Sequence, residues 1–220
     1  MLSLRLKTIA SFLEPSDKVA DIGADHGYLG IYATQNNLVT SIILTDIKSS
    51  ALESAKKNVA QAGLKIPLVV TAGLAGIATQ DLNTLVISGM GTSTILEILD
   101  PNKLQSIDKL ILQSNNNLAI LRKQVTSLGY QLMEEKTIFD NGFWYVVCLF
   151  KKNPQAALDE TTTKYGFLTE DKIPYYEYLL HNAKSILNNI VANNSETKTK
   201  KDLENEIIEL TALLEKSRHI

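Results

Sequence analysis

Apolar residues in the first half of the chain gather in short continuous runs, separated by polar stretches whose apolar members recur at helical spacing. The runs KVADIG, SIILTD, PLVVTAG, TLVISG and KLILQS are rich in Val, Ile and Leu. Strands covered on both faces read this way, because neither side of the pleat meets water. Between them, SSALESAKKNVAQAG puts Leu52, Ala55, Val59 and Ala62 on one helical stripe, and Gly63 supplies the stop. Five buried strands joined by crossovers predict a doubly wound, mostly parallel α/β sheet. An amphipathic helix precedes it: Leu2, Leu6, Ile9 and Leu13 share a face ahead of Pro15.

After KLILQS the pattern changes. YQLMEEKTIF and FWYVVCLFKK follow with no helix between them and share the turn signal DNG at 140–142, which predicts an antiparallel hairpin at the sheet's edge. Beyond KKNPQ no strand pattern returns. Ile173, Tyr176, Leu180, Ala183, Leu187, Ile190 and Val191 follow a helical period, as do Leu203, Ile207, Leu210 and Leu214 after the polar stretch NNSETKTK. The chain is therefore divided into a sheet domain over 1–153 and a helical hairpin, coiled-coil-like, over 154–220. The hairpin is open to three uses: packing, dimerisation or gripping a substrate.

Composition narrows the classes. The chain has 220 residues, 45% hydrophobic and 21% charged, with a net charge of −2, which suits an ordinary globular protein. Its single cysteine, Cys148, lies in the apolar run VVCLF and can form neither an intrachain disulfide nor a Cys-rich metal site. No metal ligand is assigned. No run approaches the ~20 apolar residues of a membrane span, and the N-terminal segment lacks an uninterrupted apolar core, so a cytoplasmic protein is expected.

Candidate chemistry begins at the end of the first strand, in VADIGADHGYLGIYA. Ligands of open parallel sheets bind at the carboxyl ends of the strands, where glycines let the backbone turn and approach closely. The glycines fall at 23, 27 and 30, not in the G-x-G-x-x-G spacing of dinucleotide binders, and Asp25 stands where phosphates would lie. An acid there repels phosphate and suits a cation, so Asp21 and Asp25 are candidates to hold the ammonium of S-adenosylmethionine. Asp46 ends the second strand, where an acid accepts ribose hydroxyls, although it could instead cap the helix that follows. Asp46 with Ile47, Gly73 with Leu74, and Gly89, Met90 and Gly91 extend the candidate cofactor set, with Gly23 and Gly27, over four strand ends. A sheet of alternating β and α units closed by a hairpin is, by fold analogy, that of class I (Rossmann-like) methyltransferases.

RLKTIASFL, VADIGADHGYL, VISGMGTSTILEIL and KLILQSNNNLAILRK together resemble the bacterial tRNA (adenine(22)-N1)-methyltransferase, or TrmK, family over nearly the whole chain. Members more often carry glycine where Thr92 stands, proline where Ser114 stands, and a more acidic segment in place of FDNGFWYVV. The resemblance implies methyl transfer from S-adenosylmethionine to adenine N1 in the D-arm of tRNA. Tyr28 is then the candidate to stack the extruded base, Asp25 and Asn115 to stabilise the developing positive charge, and His26 to contact the substrate. A packed helix-face tyrosine and a structural histidine are the competing readings of Tyr28 and His26. Arg5, Lys7, Arg122 and Lys123 on the sheet domain, with Lys198, Lys200 and Lys201 on the hairpin, are the candidate tRNA contacts. A methyltransferase for a small molecule and a noncatalytic interaction module remain the alternatives.

Overall fold

The computed structural model describes residues 2–192 and 198–217, so the first five residues of NNSETKTK lie outside the described part. The chain forms two compact units, Met1–Gly166 and Phe167–Ile220.

The first unit opens with α1 (Leu4–Ala10), capped by Ser3, whose Oγ accepts the Leu6 N–H at 3.3 Å. It continues as β1 (Lys18–Ile22), α2 (Tyr28–Gln35), β2 (Ser41–Asp46), α3 (Ser49–Gln61), β3 (Leu68–Val70), β4 (Thr84–Met90), α4 (Thr92–Ile98), β5 (Lys109–Ser114) and α5 (Leu118–Ser127). The hairpin β6 (Tyr130–Asp140) and β7 (Phe143–Lys152) follows, then the short α6 (Glu160–Tyr165). All seven strands join one sheet in the order β3-β2-β1-β4-β5-β7-β6. β1 to β5 pair in parallel, while β7 inserts antiparallel beside β5 and leaves β6 at the edge.

The apolar runs owe their continuity to cover on both faces. Val19, Val86, Ile111 and Val147 join α1, α2 and α3 in one core, against Ile9, Leu13, Leu29, Leu52 and Val59. Their neighbours Ala20, Leu85, Ile87, Leu110 and Leu112 point the other way and are equally buried. One expected alternation is missing: between β3 and β4 the chain makes only a 3₁₀ turn at Thr79–Asp81. The absence of a helix there leaves the carboxyl end of β3 open.

The sheet pattern ends near residue 153, yet α6 lies beyond it and belongs to the first unit. The Arg122 guanidinium, on α5, donates to the carbonyls of Thr163 and Lys164 in α6 at 3.3 and 3.1 Å. The second unit pairs α7 (Ile173–Ala192) with α8 (Lys198–Ser217) around buried Tyr176, Ala183, Leu203, Leu210 and Leu214. Tyr176 donates its hydroxyl proton to the Phe167 carbonyl at 2.7 Å. Among the described residues no helix is long and apolar enough to cross a membrane.

Candidate active site

β1 and β4 lie side by side at the point where the strand order reverses, so the loops leaving their carboxyl ends diverge and open a crevice. The β1 loop is fixed by its neighbour: Gly23 and Ala24 both donate N–H bonds of 2.8 Å to the Thr45 carbonyl of β2. Gly27 then starts α2 at φ +73°, where an added Cβ would meet Leu44 Cδ1 at 2.9 Å and Ala55 Cβ at 3.2 Å. Gly27 is buried and lines no cavity described here. Its glycine serves the turn and the packing of α2 on β2 and α3.

Two cavities meet at Gly23. The larger, about 580 Å³, is bordered by Asp46 and Ile47 after β2, Thr71 to Ala75 after β3, Met90 after β4, and Thr94, Glu97 and Ile98 on α4. Lys103 closes its far end and donates Nζ to the Leu74 carbonyl at 2.7 Å. The smaller, about 350 Å³, is lined by Asp21, Ala24, Asp25, His26, Tyr28, Ser88, Gly89 and Asn115, with Arg5 from α1 and Tyr145 from β7. Gly23 sits at φ +77°, a left-handed backbone that strains any side chain, so glycine suits the point where the cavities join. Gly91 lies outside the lining of both cavities, caps α4 and faces Asn116.

Asp46 is held with both carboxylate oxygens occupied on one side, by the N–H of Lys48 at 2.9 Å and of Asp25 at 3.3 Å. It thus ties the β1 and β2 loops together, and each oxygen keeps a further lone pair for a ligand. Asp21 is almost fully buried at the end of β1, and among the described residues its carboxylate has no hydrogen-bond or ion-pair partner. Burial, and secondarily the charge of Asp46, push its pKa up to about 7. A buried acid on the wall of a cavity, with no counter-charge among the described residues, would be stabilised in its ionised form by a cation.

Asp25 sits at φ +49°, and its carboxylate lies 3.5 Å from His26 Nε2. The His26 ring is 5.6 Å from that of Tyr28, which is about half exposed at the cavity mouth. Asn115 donates Nδ2 to the Gly89 carbonyl at 2.8 Å and accepts from Gln113 Nε2 at 3.0 Å, so its amide is fixed in orientation. Gln113, fully buried on β5, also accepts from Arg5 Nη1 at 2.9 Å and from the Gly89 N–H at 3.0 Å. Arg5 lies over the Tyr145 ring at 5.4 Å. Thr92 and Ser114 share a buried hydrogen bond of 2.8 Å, and Thr92 Oγ1 also donates to the Asn116 carbonyl at 2.6 Å. The two unusual hydroxyls therefore brace the β4 and β5 loops against each other.

The structure brings together Asp21, Gly23, Asp25, His26, Tyr28, Asp46, Ile47, Gly73, Leu74, Gly89, Met90 and Asn115 around the two cavities. Sequence reasoning missed Gln113, Tyr145, Ser88, Glu97 and Lys103. Arg5, expected as a phosphate contact, turns into the smaller cavity instead. Arg122 cannot meet phosphate at all: it is 1% exposed and paired through Nε with Glu135 at 2.7 Å. Lys7, Lys123 and Lys201 are exposed, Lys200 is partly so, and the side chain of Lys198 lies outside the described part.

A seven-stranded sheet with an antiparallel β7, an acid at the end of β2 and a glycine loop after β1 define a class I, Rossmann-like methyltransferase. Residues 2–148 match the family model of a methyltransferase domain. The tRNA (adenine(22)-N(1))-methyltransferase of Bacillus subtilis (strain 168) is 32% identical over 172 residues, 76% of this chain and 72% of that protein. TrmK of M. capricolum, solved with S-adenosyl-homocysteine, is 32% identical, with a TM-score of 0.85 and 98% of each chain covered. A Streptococcus pneumoniae protein solved with S-adenosyl-L-methionine is 27% identical, with a TM-score of 0.85 over 97% of this chain and all of that one (100%). The chain belongs to the tRNA (adenine(22)-N(1))-methyltransferase, or TrmK, family.

Proposed function

We propose that this chain transfers the methyl group of S-adenosylmethionine to N1 of adenine 22 in tRNA. The observation that carries this reading is the pair of cavities meeting at Gly23: one of about 580 Å³ bordered by Asp46, Gly73 and Leu74, the other polar with Tyr28 and Tyr145 in its wall. The residues fit the cofactor. Asp46 accepts the ribose hydroxyls, Gly73 and Leu74 flank the adenine, and Asp21 takes the ammonium into a buried ion pair.

Bound there, the cofactor supplies a methyl cation equivalent: the base's N1 lone pair forms the new N–C bond while the S–C pair returns to sulfur. The protein's task is placement and charge. Tyr28 stacks the adenine drawn from its neighbours, offsetting part of the unstacking cost. The fixed Asn115 Oδ1 keeps one lone pair to accept from the adenine N6 amine, which holds N1 in line. Asp25, with His26 beside it, faces the positive charge as it passes from the sulfonium to the base. Exposed Lys7 and Lys123 contribute to the tRNA footprint from the sheet unit, and Lys200 and Lys201 from the helical unit. Acting on tRNA, the protein works in the cytoplasm.

The test incubates the protein with labelled S-adenosylmethionine and an unmodified tRNA transcript, followed by digestion to nucleosides. The label should appear in 1-methyladenosine, and a transcript with guanine at position 22 should take up none. Equal labelling of both transcripts, or a different product, sinks the assignment.

A further inference from the structure

We propose that Phe143, at the tip of the β6–β7 hairpin, is a stacking platform for the nucleobase adjacent to the target adenine, an inference that rests on the tRNA-methylation reading. Phe143 is 66% exposed and has no ring partner among the described residues. It opens β7 directly after the turn that follows Asp140, at the exposed end of the hairpin. Side chains two apart on a strand share a face, and the residue two beyond Phe143 is Tyr145. Tyr145 is part of the wall of the smaller cavity, where Arg5 covers its ring.

A third cavity, about 240 Å³, is lined by Phe143, Trp144, Tyr145 and Asn115. It shares Tyr145 and Asn115 with the smaller cavity, so the two are continuous along one rim. The chemistry matches what the reaction leaves behind. Drawing one adenine into the smaller cavity strips its neighbour of a stacking partner on one face. A ring at the rim replaces that partner, and stacking tolerates any base because every base has a π face. Trp144, between Phe143 and Tyr145 on β7, also borders this cavity and pairs across the hairpin with Phe139, ring centroids 5.4 Å apart. That pair stiffens the tip that presents Phe143.

The chain's single tryptophan provides the readout. Titrating the wild-type protein with unmodified tRNA transcript should change Trp144 emission, because the base enters a cavity that Trp144 lines. Phe143→Ala should weaken tRNA affinity and raise its KM by about fivefold to a hundredfold, with S-adenosylmethionine affinity unchanged. Phe143→Tyr, which keeps the ring, should restore both. Constant emission at saturating tRNA, or a Phe143→Ala protein with wild-type KM, overturns the platform while leaving methylation by the wild type intact. A wild-type protein that neither binds nor methylates tRNA overturns the platform and the parent reading together.

Discussion

Asp21 carries opposite consequences for the free protein and for the bound one. Its pKa of about 7 means that the folded chain holds a proton which the unfolded chain, with an ordinary value of 3.8, releases. The folded state binds more protons between about pH 4 and 7, so stability contributed by this group is present below that window and is lost as pH rises through it. The full effect is on the order of 4 kcal/mol, at about 1.4 kcal/mol per unit. Asp21→Asn should therefore be more resistant to urea than the wild type at pH 8 and close to it at pH 4, while its loss of cofactor affinity should be greatest above pH 7 and shrink toward pH 4. Wild-type affinity for S-adenosylmethionine should rise up to about pH 7, as the carboxylate forms, and then level. Urea midpoints for the two proteins that differ equally at pH 4 and 8 exclude this role. Asp46→Ala removes an acceptor for the ribose and the tie between two loops, and should weaken cofactor binding roughly tenfold or more at about 1.5–3 kcal/mol for a charged hydrogen bond; calorimetry showing unchanged affinity in a folded variant rejects it. Both acids were legible in the sequence because strand ends announce themselves. Gln113 was not, since its partner Arg5 lies 108 residues away and only the sheet order brings them together. The burial of Arg122 has a trace in the sequence: it stands on the same helical stripe as Leu118 and Val125, four residues before it and three after.

Elements were legible where burial writes a pattern. The five parallel strands show as apolar runs because helices cover both faces, and the hairpin shows as two strands with DNG between them. The 3₁₀ crossover after β3 left no such signal, because a short turn has no period. Nor could the sequence tell a glycine that contacts a ligand from one that sets the packing of an element. Gly27 and Gly63 separate the two costs. Both have positive φ, +73° and +71°, but a Cβ at Gly63 meets nothing within 4 Å, whereas at Gly27 it meets Leu44 and Ala55. Gly63→Ala should cost about 1–2 kcal/mol from the left-handed backbone alone. Gly27→Ala should cost more, because α2 must also shift away from β2 and α3, and it should weaken cofactor binding by displacing the loop. Equal losses in urea unfolding for the two variants contradict the packing account.

At the scale of the molecule, the division of labour between the units follows from charge and from α6. Residues 154–220 hold eight Lys and Arg against eleven Asp and Glu, while residues 1–153 hold fourteen against thirteen. Phosphate binding draws on Lys and Arg, so a net-acidic helical unit is poorly suited to be the main clamp, and the proposed footprint lies chiefly on the sheet unit. We propose that the helical unit is an accessory grip, acting through a few lysines such as Lys200 and Lys201. A cut to test this has to respect α6. Ending the chain at 152 removes the carbonyls of Thr163 and Lys164 that the buried Arg122 guanidinium uses, leaving unsatisfied donors in the core. A chain ending at Gly166 keeps them and matches the first compact unit. That shorter protein should bind S-adenosylmethionine as tightly as the full chain, because both cavities are lined by residues before 146. Its methylation of tRNA should fall, mainly through a higher KM, since what it has lost is grip and not chemistry. A 1–166 protein with the full chain's KM and kcat on tRNA removes the gripping role and leaves α7 and α8 as a packing or dimerising pair. The 1–152 chain serves as the control, and should lose urea resistance that the 1–166 chain retains.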